Sequence, residues 1–240
     1  MKRGLELLKF LLLLAVIVFL YSFGKKRNDT RKLSKIDIEF IDGNSPFITY
    51  NTVNKLLIQS EEELKDIGKE TLDLVGMERR LNDNPMVRNA QVYVTIDGTL
   101  GAKIEQRDPI ARVLTKDGSS YYLDADGKKM PLSTVYSARV PIVTGISETE
   151  FEELTTLLLK IRRDEFMHHS IVGLDVNRNG EIDMELRKST VRIHFGKPEF
   201  IEKKFQNFKA FYKKTIQDST FFGYDKVNLK FESQVIATKI

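Results

Sequence analysis

The sequence predicts an α+β protein: an N-terminal transmembrane helix, a compact β-α-α-β-β domain, then a mixed α/β domain built on an antiparallel-rich sheet. Three patterns predict it. The run from Phe10 to Tyr21 is apolar without a break. Residues 35–106 carry one strand pattern, two helix patterns and two strand patterns, in that order. From Ile171 the apolar positions return to period two around a single amphipathic helix.

The first element is read from MKRGLELLKFLLLLAVIVFLYSFGKKR. A helix over 4–24 would be roughly 31 Å long, enough for the hydrocarbon core of a bilayer. Residues 1–24 are therefore assigned to a short cytoplasmic tail and transmembrane helix, and 25–34 to a polar linker. Lysines and arginines flank both ends, so counting them does not choose the orientation. A short tail before a long soluble portion behaves as an uncleaved signal sequence and puts the bulk outside the cytoplasm. A cleaved signal peptide ending at Ser22-Phe23-Gly24 is the rival, and the length of the apolar run speaks against it.

Residues 35–108 form the next domain. KIDIEFID alternates Ile36, Ile38 and Phe40 against charges, the mark of a half-buried strand. Segments 48–59 and 71–84 carry helix-spaced apolars, with Leu74, Met77 and Leu81 on one face. Pro85 ends the second helix. Strands 90–96 and 100–106 follow, joined by Asp97-Gly98, where glycine takes positive φ at no steric cost.

Residues 109–240 form the last domain. YYLDADG (121–127) predicts a strand and turn, and VPIVTG (140–145) a short buried strand. Ser147 to Glu150 reads as a capping box for a helix facing Phe151, Leu154, Leu158 and Ile161 inward. Pro198 is placed at the start of a helix whose core stripe is Ile201, Phe205, Phe208, Tyr212 and Ile216. In KVNLKFESQVIATK, Val227, Leu229, Phe231, Ser233 and Val235 alternate as one closing strand, which can be a sheet edge.

Composition narrows the function. The net charge of +4 over 240 residues is interspersed rather than gathered in a basic stripe, so no nucleic-acid partner is indicated. The absence of cysteine excludes thiol catalysis, disulfides and cysteine-based zinc sites. No Gly-rich phosphate loop occurs, His194 has no serine in a nucleophile-elbow setting, and His168 and His169 lack an acidic partner at metal spacing. The chain reads as a non-enzyme with no cofactor, no metal and no small-molecule substrate.

One stretch tests that conclusion. In LDVNRNGEIDMEL, Asp175, Asn177, Asn179 and Gly180 fall at calcium-loop positions. Leu186 stands where the bidentate glutamate belongs, however, and Ile182, Met184 and Leu186 alternate like a strand. Asn-Arg-Asn-Gly between two strands reads as a hairpin turn.

IDGN (41–44), NPMVRNAQVYVTIDGTLGAKIEQRDPIARV (84–113), YLDADG, PIVTG, VRIHFGKP and VNLKFESQVIATK occur in an order that resembles the FtsQ/DivIB family of bacterial cell-division proteins. Met86 and Gln106 depart from it, standing where an aromatic and a glutamate are usual. The resemblance implies that 35–108 is a POTRA-like domain and 109–240 the family's β domain. It implies a non-catalytic, single-pass protein of the cell inner membrane with its bulk periplasmic or extracytoplasmic. Such a scaffold binds FtsB/FtsL-like (DivIC-like) coiled-coil proteins and helps control septal peptidoglycan synthesis. The resemblance implies a contact through the final strand and the preceding helix of the β domain, with contact residues Leu229, Lys230, Phe231, Glu232, Ser233, Gln234 and Val235. Phe231 stands where the family has a contact tyrosine and Ser233 at its contact serine; alternatively, Phe231 faces the core. A POTRA-containing secretion or outer-membrane assembly accessory is the second reading of the same architecture.

Overall fold

The computed structural model describes residues 2–29, 33–41, 47–58, 72–147 and 151–240. They belong to two compact units, 1–106 and 107–240.

The first unit opens with α1, Lys2–Asp29. From Phe10 to Phe23 its large apolar side chains are 47–74% exposed, on every side of the helix. Among the described residues, no helix is long and apolar enough to cross a membrane.

The rest of this unit is β1 (Lys35–Phe40), α2 (Tyr50–Leu57), α3 (Leu74–Asn82), β2 (Val87–Val94) and β3 (Thr99–Gln106). Strand order is β1-β3-β2, with β1 parallel and β2 antiparallel to β3. The helices start where side chains can cap them: Thr49 accepts from the Thr52 amide at 3.1 Å and Asp73 from Gly76 at 2.9 Å. Arg80 of α3 donates to the Leu56 and Leu57 carbonyls, closing the end of α2. Val53, Leu57, Met77 and Leu81 then pack on Ile38, Leu100, Ala102 and Ile104. Gln106, read in the sequence as a departure, is buried and accepts from the Phe47 and Ile48 amides at 2.8 and 3.3 Å. Residues 42–44 of the IDGN stretch lie outside the described residues.

The second unit contains β4 (Pro109–Leu114), β5 (Ser120–Asp124), β6 (Lys129–Met130), β7 (Ile142–Thr144), α4 (Phe151–Arg163) and α5 (Glu165–Ser170). It continues with β8 (Ile171–Val176), β9 (Ile182–Leu186), β10 (Arg192–Gly196), α6 (Ile201–Gln217), β11 (Tyr224–Asn228) and β12 (Ile236–Lys239). The sheet order is β12-β11-β10-β9-β8-β7-β4-β5-β6. Its pairs are antiparallel except β4–β7, β7–β8 and β10–β11. The last two of these are bridged by helices, the usual crossover between parallel neighbours, and β4–β7 by the β5–β6 hairpin. The molecule is thus α+β with an antiparallel-rich sheet.

Register places Val113, Val143, Leu174, Met184, Ile193 and Val227 side by side across the sheet, and all are buried with α4 and α6 against them. Among their neighbours along the strands, Glu185 and Arg192 face water on the other side.

Several expectations need correcting. Only Val143 of the short strand β7 is buried, because Ile142 points to the polar side. Pro198 does not begin α6: it precedes the N-cap, Phe200, whose φ of 51° turns the chain into the helix. The α6 stripe holds from Ile201 to Tyr212, then drifts, leaving Ile216 exposed and Thr215 buried. The proposed capping box involves 148–150, outside the described residues. KVNLKFESQVIATK is not one strand: β11 and β12 are antiparallel partners joined by 229–235.

Candidate docking edge of the C-terminal sheet

The hairpin β11–β12 forms one rim of the large sheet, and β12 is its outermost strand. The rim arises from local chemistry. β11 leaves α6 through a tight turn at 221–223 and runs parallel to β10 as far as Asn228. The Leu229 amide adds one more ladder bond, donating to the His194 carbonyl at 2.8 Å. Asn228 Oδ1 then accepts from the Lys230 amide at 2.9 Å, a short side-chain turn that diverts the strand. The chain bends through 231–233 and returns as β12. Period-two spacing cannot register such a reversal, since both arms and the loop keep alternating.

The structure sorts the predicted contact residues. Leu229 is 1% exposed and belongs to the core, and Val235 is half-buried against it. Phe231 is 43% exposed, which overturns its core-facing alternative. Ser233 and Gln234 are exposed. Lys230 and Glu232 are engaged within the chain: Lys230 Nζ lies 2.6 Å from Glu181, and Lys203 Nζ 2.8 Å from Glu232. Asn207 of α6 also donates to the Glu232 carbonyl at 2.9 Å. Sequence reasoning missed Ile236, 45% exposed on β12, and Phe222, 63% exposed beside the other end of the hairpin. For Ile236, an apolar residue on a solvent-facing strand position was the available signal.

Electrostatics tie the loop to the polar face. The Lys230 ammonium holds the Glu181 carboxyl below the ordinary glutamate range, with Asn177 and His194 adding to the effect. A depressed carboxylate keeps its contribution above the ordinary value and loses it as pH falls through the folded one. The Glu181–Lys230 contact therefore persists at neutral and mildly acidic pH. His194 Nδ1 lies 2.6 Å from Asp183 on the same face.

The turn that resembled a calcium loop is a hairpin between β8 and β9, as the sequence predicts. Asn177 Oδ1 accepts from the Asn179 and Glu181 amides, and Gly180 has φ 73°. Asp124 is likewise structural. It accepts from the Asp126 and Lys128 amides and from Arg107 at 2.7 Å. Among the described residues, no group of three or more histidines and carboxylates could hold a metal.

Residues 108–238 match the family described as FtsQ/DivIB, C-terminal related. The chain belongs to the FtsQ/DivIB family. It is also similar to the cell division protein FtsQ of Geotalea daltonii, with 22% identity over 208 residues, covering 78% of this chain and 74% of that protein. FtsQ/DivIB membership points to a role in cell division. The matched segment contains the β11–β12 hairpin up to Thr238.

Proposed function

We propose that this FtsQ/DivIB chain is a non-enzymatic, bitopic scaffold of the bacterial divisome. Its C-terminal rim binds FtsB/FtsL-like (DivIC-like) coiled-coil proteins and so helps control septal peptidoglycan synthesis. The observation that carries the reading is the position of β12, outermost in its sheet, with Phe231 and Ile236 exposed beside it. An edge strand offers unpaired backbone N–H and C=O groups that an incoming strand satisfies, while alternate side chains select the partner. The loop 229–235 adjoins that edge, with Phe231, Ser233 and Gln234 as its available contacts.

Residues 1–24 serve as the tail and membrane anchor, the bulk of the chain lying beyond the inner membrane in the periplasm or outside the cell. A helix apolar on every side calls for an apolar surrounding, and α1 is that from Phe10 to Phe23. Residues 35–108 act as a POTRA-like domain, supported by their β-α-α-β-β order, and 109–240 as the partner-binding β domain.

The test is site-specific photocrosslinking at positions 230–236 in dividing cells. Exposed positions should capture a small single-span coiled-coil protein. Capture of no such protein at any position would remove the edge mechanism.

A further inference from the structure

A loop that orders only when its partner arrives weakens binding by the entropy it loses. The loop 229–235 is already held, and by residues from different elements. Lys230 is tied to Glu181 in the β8–β9 turn, at 2.6 Å. Glu232 is tied to α6 twice, through its carboxylate to Lys203 at 2.8 Å and through its carbonyl to Asn207 at 2.9 Å. Phe231 is the residue between these two fixed points, and its ring stays 43% exposed.

We propose that Lys230 and Glu232 are positioning residues, which latch the loop to the β8–β9 turn and to α6 so that Phe231 is presented to the partner preorganised. This revises the direct-contact role that the resemblance implies for both, and it rests on the docking reading above. A side chain spent on an internal ion pair must give that pair up before it can meet a partner. Phe231 has no such commitment and offers its apolar surface as it stands. The Glu232 side is the better lever for a test, because exchanging the charges of Lys203 and Glu232 separates the latch from any direct contact that Lys203 of α6 makes.

The chain has no cysteine, so S233C accepts a single nitroxide that reports the motion of this loop. The full-length protein is compared as S233C alone, with K203E, with E232K, and with both charges exchanged. Each single reversal should mobilise the label, and the exchange should restore its order. Melting temperatures should stay together, since an exposed ion pair adds little to global stability. In parallel, a photocrosslinker at Ile236 reads docking in cells. Capture of the coiled-coil partner should fall about fivefold in K203E and recover in the exchange, the upper range for one surface pair.

A label equally mobile in all four proteins overturns the latch while leaving docking intact. Mobility that changes and reverts with no change in capture overturns the positioning role. If the otherwise unsubstituted chain captures no such protein at any position from 230 to 236, the docking reading fails, and the positioning role with it.

Discussion

Arg107 and Asp124 show what a single buried ion pair does here. Their side chains are 13% and 2% exposed, with 2.7 Å between Nη1 and Oδ2. Burying two charges is costly, and removing one partner leaves the other uncompensated. R107L should therefore destabilise the second unit by about 3 kcal/mol, read as a lower urea midpoint with unchanged slope. A loss of stability below about 1 kcal/mol would mean that the two turn amides suffice to hold Asp124.

Lys204 gives a prediction with a sign. It is 3% exposed, donates to the Phe195 and Lys197 carbonyls at 3.0 and 2.7 Å, and lies over the Phe195 ring. Burial pushes its ammonium pKa down, against the opposing pull of Glu199. The folded state therefore sheds the proton more easily than the unfolded chain. The cost of the buried charge is full below the folded pKa and disappears as pH rises from there to the ordinary lysine range. The difference in stability between the native chain and K204M should accordingly grow in favour of the native chain with rising alkaline pH. Parallel pH profiles for the two proteins would contradict it.

At the level of elements, Gly145 joins β7 to the loop before α4 with φ 77°. A Cβ there would stand 2.0 Å from the Val176 carbonyl oxygen, an atom of the neighbouring strand β8. G145A adds left-handed strain of about 1–2 kcal/mol to that clash, so the loss should exceed 2 kcal/mol. G118A, where nothing lies near the new methyl, should show the strain alone. Equal losses for the two variants would show that β7 and β8 separate without cost.

The same elements show what a sequence can disclose. Leu74, Met77 and Leu81 marked the buried side of α3 because helical spacing and burial are one constraint. Asn-Arg-Asn-Gly marked its turn because positive φ at Gly180 restricts the residue type. The rim was legible only in part. The chain's last strand does form an edge, but the ties of Lys230 to Glu181 and of Glu232 to Lys203 span 49 and 29 residues, beyond the reach of local pattern. Alternation likewise continued through a loop, and Pro198 stood one turn too early for the helix it seemed to start. The ion pairs are set by contacts distant in sequence, whereas the Asn228 side-chain turn and the left-handed Phe200 set the other two, and none of these leaves a mark in hydrophobic periodicity.

For the whole molecule, the proposed membrane anchor matters as much as the proposed docking rim. If the coiled-coil partners are themselves single-span proteins, a shared bilayer raises their effective concentration without any new contact. On that view α1 supplies location, and its particular side chains matter little. A chain whose residues 1–29 are replaced by an unrelated single membrane span should restore normal cell length after depletion of the native protein. The same chain released by a cleavable signal sequence should leave cells filamentous at native expression and recover only when overproduced. Alkaline carbonate extraction should keep the native chain with the membranes and free the released form. Failure of the unrelated span, despite equal membrane retention, would show that α1 makes a specific contact within the bilayer. Normal septation throughout depletion would remove the division role itself and favour a secretion or outer-membrane assembly accessory.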